Sequence, residues 1–190
     1  VPEFITALTF ENGELEDVSY EPSDNSWRWQ EMQSRAGELR QLRALLASSA
    51  KLGVFRLEGE DAPELARRMQ YAKGIDPTMA LYAAYAYHDL QRRQRIEEMQ
   101  AYLRGDLSLR FFDIALLARG LADRQAGADR DVFPFFPLLS QGWALLSANR
   151  VKLPSKLTGL ERHLRPSLWT QFDPRGIEMI RAAMQAQEGR

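Results

Sequence analysis

The sequence predicts a mainly α-helical protein with a small N-terminal antiparallel β element. An Asn-Gly pair separates two short runs rich in β-branched and aromatic residues, which is typical of a hairpin. Along most of the remaining chain apolar residues recur every three or four positions, and Asp-Pro pairs mark helix starts. We divide the 190 residues into 1–60, with a hairpin, a long helix and a third strand, and a helical domain 61–190, packed as one unit.

The N-terminal elements follow from local composition. Residues 4–10 and 15–20 predict two strands joined by Asn12-Gly13, which tolerates positive φ at both turn positions. Apolar residues at three- and four-residue steps predict one helix from about Trp27 to Leu52. Residues 54–58 alternate and predict a third strand, because a two-stranded hairpin alone is marginally stable in water.

From residue 61 onward the sequence predicts about seven helices. An acidic or hydroxyl side chain can cap the first turn of a helix, and proline is tolerated at the first helical position. The predicted helix starts are Asp61, Asp76-Pro77, Ser108, Pro137, Pro154 and Asp173-Pro174. The helix that starts at Asp61 is predicted to end at Gly74, and the helix that starts at Ser108 is predicted to run through Leu121.

The helix predicted at 77–91 is apolar on nearly every face, which indicates a helix surrounded by other helices. Residues 141–145 can be aligned with residues 83–87 at an offset of 58. This similarity suggests a duplicated helical unit. A duplicated unit would favour tetratricopeptide-like stacking of helix pairs with a concave binding face.

Composition excludes several classes of function. The chain has no Cys and only two His, so disulfides, thiol nucleophiles and Cys-based metal sites are absent, and we expect no metal and no cofactor. No apolar run approaches the roughly 18 residues of a membrane span, and the N-terminus lacks the regions of a signal peptide. We therefore expect a soluble, cytoplasmic protein, and Val1 directly before a strand suggests a cut fragment.

The sequence also argues against enzymatic activity. It contains no phosphate-binding glycine loop, no nucleophile elbow and no zincin motif. His88 and Asp89 are adjacent on a helix and point about 100° apart, so the carboxylate cannot orient the imidazole as in a triad. The consecutive Glu97-Glu98 pair diverges in the same way, and His163 ends a predicted helix among charged residues.

An arginine-rich helix junction is a candidate binding site. Arg92, Arg93 and Arg95 could form a ridge with Arg67-Arg68 and Arg104 that holds phosphates or an acidic peptide. The alternative is a solvated junction between helices. A pI near 6.2 disfavours nucleic acid as the partner.

Aromatic residues supply two further candidates. Trp27 and Trp29 could anchor a partner or fix the hairpin to the helical part. Residues 132–137, which include Phe135 and Phe136, could present an exposed aromatic edge or form a buried linker.

The charges are distributed unevenly. Residues 1–27 contain seven acidic side chains and no Lys or Arg, whereas residues 28–190 contain 25 basic and 19 acidic side chains. Such asymmetry fits an acidic arm that docks on a basic surface, or a solvated hairpin.

Residues 76–87, 136–146 and 168–172 resemble uncharacterised modules that follow peptidase-like or other effector domains in multidomain bacterial proteins. The resemblance covers roughly residues 54–185. It implies an accessory, non-catalytic module in a larger bacterial effector or signalling protein, and no catalytic residue carries over. We expect a protein-protein interaction or scaffolding module whose partner is another protein or another domain of the same native chain. The alternative is a nucleic-acid or phosphate-binding module that uses the arginine junction, and the oligomeric state stays open.

Overall fold

The computed structural model describes residues 1–121 and 135–188, and about 56% of the structure is helical, which confirms the mainly α class with an N-terminal β element. Strands β1 (Phe4–Glu11) and β2 (Glu14–Pro22) form the predicted antiparallel hairpin. Asn12 and Gly13 have φ values of 51° and 80°, as the hairpin turn requires.

The single helix predicted from Trp27 to Leu52 is wrong, because two helices occupy this range. Helix α1 (Arg28–Ser34) ends at Arg35, whose φ of −108° and ψ of 11° are not helical, and α2 (Ala36–Leu52) follows. At the other end of α1, the buried Arg28 side chain donates to the Gly74 carbonyl and forms an ion pair with Asp106, so α1 is anchored to the helical part.

The third strand predicted at residues 54–58 is also wrong, since the sheet within the described residues has two strands only. Phe55 lies in an irregular segment, and its buried ring packs edge to face on the Tyr82 ring, with ring centroids 5.0 Å apart. Its N–H donates to Gln141 Oε1 at 2.8 Å. A side-chain amide therefore replaces the strand ladder that the alternation suggested.

Four helices follow in the central part. They are α3 (Ala62–Ala72), α4 (Thr78–Asp89), α5 (Arg93–Leu107) and α6 (Phe112–Leu117). The helix starts predicted at Asp61 and Asp76-Pro77 are confirmed, and Asp76 caps α4, but the Asp61 side chain makes no capping hydrogen bond. The start predicted at Ser108 is wrong, because Ser108 has a φ of 49° and ends α5 in the left-handed conformation.

The C-terminal part is less helical than predicted. Helix α7 covers only Trp143–Ala148, preceded by the 3-10 turn Ser140–Gly142, and Pro154 precedes another 3-10 turn rather than an α-helix. The N–H groups of Leu138 and Leu139 donate to the Asp113 carboxylate, and Leu139 is extended, so no helix begins at Pro137. Helix α8 (Pro174–Glu188) begins as predicted, with the Gly176 N–H bonded to Asp173 Oδ1 at 2.9 Å.

Helix α4 lies at the centre of the fold, as its sequence predicts, and every residue from Thr78 to Tyr87 is buried. One core cluster joins α4 to α2, α3 and α5, while a second lies between α6, α7 and α8. The offset of 58 pairs the twelve-residue α4 with a 3-10 turn and the six-residue α7, so the two regions differ in helical length.

Gly142 lies where the C-terminal part packs against Tyr85 of α4. A Cβ added at Gly142 would collide with the Tyr85 hydroxyl and would lie 2.7 Å from Pro137 Cβ. Because both neighbours are packed, we expect Gly142→Ala to lower the free energy of unfolding by about 1–3 kcal/mol in urea titrations. Gly37→Ala is the control, since nothing lies within 4 Å of that Cβ, and it should be neutral or slightly stabilising. Equal effects of the two substitutions would contradict this account of Gly142.

Candidate functional site

The two tryptophans near the start of α1 differ in exposure. Trp27 is exposed and the Arg28 guanidinium lies 4.4 Å from its ring centroid, while Trp29 is half-buried. Arg28, between them, makes the contacts to Gly74 and Asp106 that join α1 to the helical part. The sequence offered no signal for this role, because an arginine side chain is ordinarily exposed to solvent.

Phe135 and Phe136 are half-buried and belong to an aromatic cluster in the second core. The Phe136 ring lies 5.5 Å from that of Phe172 and 6.0 Å from that of Trp143, and Phe135 packs edge-on against Phe136. The other residues of the predicted aromatic edge, 132–134, lie outside the described residues.

The structure brings three of the six predicted arginines together. Arg67, Arg92 and Arg95 line one cavity of about 270 Å³ between α3 and the α4–α5 turn. Arg93 points to Glu97 instead, and Arg68 bonds to Glu38 across to α2. Arg104 is exposed on α5 and does not line this cavity.

The two histidines lie far from each other in the chain. His88 is exposed in the last turn of α4. His163 Nδ1 lies 3.0 Å from Asp173 Oδ2, a contact that the sequence analysis missed. Asp173 caps α8 by accepting from the Gly176 N–H, and this bond and then His163 lower the pKa of Asp173. Over the residues that the structure describes, no group of three acidic or His side chains is arranged to hold a metal ion.

On the outer edge of β2, the backbone groups of Leu15 and Tyr20 bond to side chains from the helical part. The Leu15 N–H and C=O bond to the Gln171 amide, at 3.1 Å and 3.0 Å. The Tyr20 N–H donates to Asp76 Oδ1, and the Tyr20 C=O accepts from Arg43. The helical body therefore supplies hydrogen-bond partners on this side of the hairpin.

In the part of the chain that the structure describes, no side chain bonds to the outer edge of β1 in this way. Opposite residues in an antiparallel pair alternate between hydrogen-bonded and non-hydrogen-bonded pairs. Because the backbone groups of Tyr20 point outward, its partner Thr6 also directs its N–H and C=O away from β2, and Leu8 does the same two residues later. The pairing of Pro22 with Phe4 fits this alternation, since proline has no N–H to donate and therefore suits a non-hydrogen-bonded pair. Within 1–121 and 135–188, no hydrogen bond reaches the outward backbone groups of Thr6 and Leu8.

Apolar side chains are exposed along the same strand. Ile5, Leu8 and Phe10 are 62%, 54% and 61% exposed. The seven residues 4–10 are uncharged, whereas Glu3 and Glu11 flank them. An uncharged edge strand between acidic ends is the sequence signal that could have identified this surface.

A groove lies beside the end of the hairpin. It has a volume of about 610 Å³ and is lined by the ends of β1 and β2, the end of α2 and residues 165–168. Leu52, which is 78% exposed, and Val54 lie along it, and Leu15 connects it to Phe10 across the hairpin. The exposed apolar surface of β1 therefore continues toward a concave region.

None of the helices in the described part of the chain is both long and apolar enough to cross a membrane. Comparison with family models, curated proteins and solved structures found no match to this chain.

Proposed function

We propose that this protein is a non-catalytic protein-interaction module that binds a basic, extended segment of a partner protein along β1. The observation that carries the proposal is the difference between the two edges of the hairpin. Side chains from the helical part bond to Leu15 and Tyr20 on the outer edge of β2, whereas within the described residues no hydrogen bond reaches the outward backbone groups of Thr6 and Leu8 on β1.

An unpaired edge is suited to the addition of another strand. Main-chain hydrogen bonds supply affinity in such complexes, and alternate side chains supply specificity. Proteins commonly protect exposed edges with lysine, proline or inward-pointing charge. Residues 4–10 contain none of these, and the one irregularity in register lies at the end, between Thr9 and Phe10.

Charge selects the occupant. A second copy of β1 would bring together two N-terminal segments, residues 1–27, with seven acidic side chains each, and directly opposed like charges are destabilising. Arg43 and Arg165 already pair with Glu21 and Glu14, but Glu3 and Glu11 flank the open edge. A segment with Lys or Arg beside apolar residues would match both the charge and the exposed side chains.

The wider setting is also part of the proposal. We propose that the module works in the bacterial cytoplasm as an accessory part of a larger effector or signalling protein. The resemblance of residues 76–87, 136–146 and 168–172 supports this setting, and a chain without cysteine suits a reducing compartment.

Peptide binding tests the proposal. We expect a capped nine-residue peptide of alternating Val and Lys to bind saturably in calorimetric titrations, and the matching Val and Glu peptide to bind at least about tenfold more weakly. Thr6→Pro removes one outward N–H without removing a hydrogen bond to β2. It should weaken the binding of the Val and Lys peptide by about tenfold.

Thr6→Val is the matched control, because it keeps the backbone N–H, and it should bind as the unaltered protein does. Leu8→Lys is a second variant, which adds a like charge on the edge and should also weaken binding. Equal affinity for the two peptides, no saturable binding, or equal binding by the Pro and Val variants would overturn the proposal.

A further inference from the structure

We propose that the cavity lined by Arg67, Arg92 and Arg95 binds a phosphate monoester, with the phosphoryl group on the guanidinium groups and the organic part against Tyr71. The cavity has a volume of about 270 Å³ and shares no lining residue with the β1 edge or its groove. This inference is therefore independent of the proposed function.

The fold brings the three arginines together from separate elements. Arg67 lies on α3, Arg95 lies in the first turn of α5, and Arg92 lies in the turn between α4 and α5. The Arg92 N–H donates to the Tyr87 carbonyl at 2.7 Å, and Gln91 before it has a positive φ of 57°. These backbone features fix where the Arg92 side chain begins.

The cations are only partly neutralised. Glu64 accepts two hydrogen bonds from Arg67, at 2.9 Å each, and Glu98 accepts one from Arg95. No carboxylate of the described residues pairs with Arg92. Because a guanidinium has five N–H donors, each of the three arginines keeps donors for an incoming anion.

The rest of the lining fits an organic group and a polar oxygen. Tyr71 is exposed, and the Arg67 guanidinium lies 5.9 Å from its ring centroid, so a flat apolar group can pack there. The buried Tyr87 hydroxyl donates to Gln70 Oε1 at 2.6 Å, and burial raises the Tyr87 pKa, so the hydroxyl stays protonated at neutral pH.

The chemistry favours a small phosphate ester over a nucleic acid strand. Three guanidinium groups around one cavity match a dianion, whereas a strand needs a wider basic surface. The surrounding carboxylates of Glu64, Glu97 and Glu98 break up the positive surface beyond the cavity.

Phenyl phosphate is the probe. We expect saturable binding by calorimetry at fixed ionic strength, with inorganic phosphate weaker by at least about tenfold because it lacks the ring. Arg92→Ala and Arg95→Ala should each weaken the binding of phenyl phosphate by about tenfold or more, since charge-assisted hydrogen bonds are lost. Glu64→Gln should strengthen binding, because it releases donors of Arg67.

Arg93→Ala is the matched control. It removes the same charge from the same helix turn, but Arg93 points to Glu97 and does not line the cavity. The affinity of Arg93→Ala for phenyl phosphate should stay within about twofold of that of the unaltered protein. An equal loss in Arg93→Ala, equal binding of inorganic phosphate, or no saturable binding of phenyl phosphate would overturn the inference. Each variant is checked by circular dichroism, and if Arg92→Ala does not fold, Arg95→Ala and Glu64→Gln decide.

Discussion

Replacing Asp76 with alanine is expected to lower the free energy of unfolding by about 3–5 kcal/mol. Asp76 is completely buried where α4, α2 and the hairpin meet. Its Oδ1 accepts from the Tyr20 N–H and from the N–H and hydroxyl of Thr78, and its Oδ2 accepts from Arg43 at 2.9 Å. Alanine would leave all these donors in place without their acceptor.

The size of the effect follows from burial. Removing one partner of a buried charged pair strands the other partner, which costs more than the pair contributes on its own. Burial raises the pKa of Asp76, while Arg43 and the hydroxyl of Thr78 oppose that rise. The site therefore depends on several contacts that no single neighbour can replace.

Urea unfolding of Asp76→Ala checks this expectation. Asp61→Ala is the matched control, because Asp61 also precedes a helix with a proline in its first turn but makes no capping hydrogen bond through its side chain. The control should change stability by less than about 0.5 kcal/mol. A loss below about 1 kcal/mol in Asp76→Ala would contradict the role assigned to this carboxylate.

Asp113→Ala is expected to cost about 3 kcal/mol of stability. The fully buried Asp113 carboxylate accepts from the Tyr85 hydroxyl at 2.7 Å and from the N–H groups of Leu138 and Leu139. These donors hold the extended segment before α7 against α4. Thermal and urea unfolding should show the loss, while Asp89→Ala, at the exposed end of α4, should lie within about 0.5 kcal/mol of the unaltered protein. Equal stabilities of the two variants would contradict the assignment.

The same carboxylate predicts a pH dependence. Burial raises the pKa of Asp113 above its ordinary value of 3.8, although its three donors oppose the rise. Between 3.8 and the raised pKa, the native state binds more protons than the unfolded state, so stability falls as pH rises through this window. Asp113→Asn should show a smaller fall in stability as the pH rises above 3.8, and an equal fall in both proteins would contradict a raised pKa.

Local signals predicted those parts of the fold that depend on neighbouring residues in the chain. The Asn12-Gly13 turn and the starts of α4 and α8 follow from backbone preferences and from capping by Asp76 and Asp173. The apolar faces of α4 likewise predicted a central helix.

Features made by contacts distant in sequence could not be predicted in this way. Phe55 is buried by Tyr82 and held by Gln141, 86 positions later, so a short alternating run did not become a strand. Arg28 is buried because Gly74 and Asp106 receive it. The difference between the β1 and β2 edges likewise depends on side chains of the helical part, which bond to Leu15 and Tyr20 on β2.

The arginine site was predicted in part. Sequence proximity grouped Arg92, Arg93 and Arg95, but the helical rotation between neighbours sends Arg93 toward Glu97. The tertiary fold then adds Arg67 from α3. The sequence thus indicated the charge, whereas the cavity depends on the packing of α3 against the α4–α5 turn.

Residue-resolved amide hydrogen exchange of β1, with and without the Val and Lys peptide, tests strand addition most directly. In the free protein, the Ala7 N–H, which faces β2, should exchange slowly, whereas the outward N–H groups of Thr6 and Leu8 should exchange fast. The Val and Lys peptide should slow exchange at Thr6 and Leu8, and the Val and Glu peptide should leave it unchanged. Slow exchange at Thr6 and Leu8 in the free protein, or no protection by the basic peptide, would contradict binding along this edge.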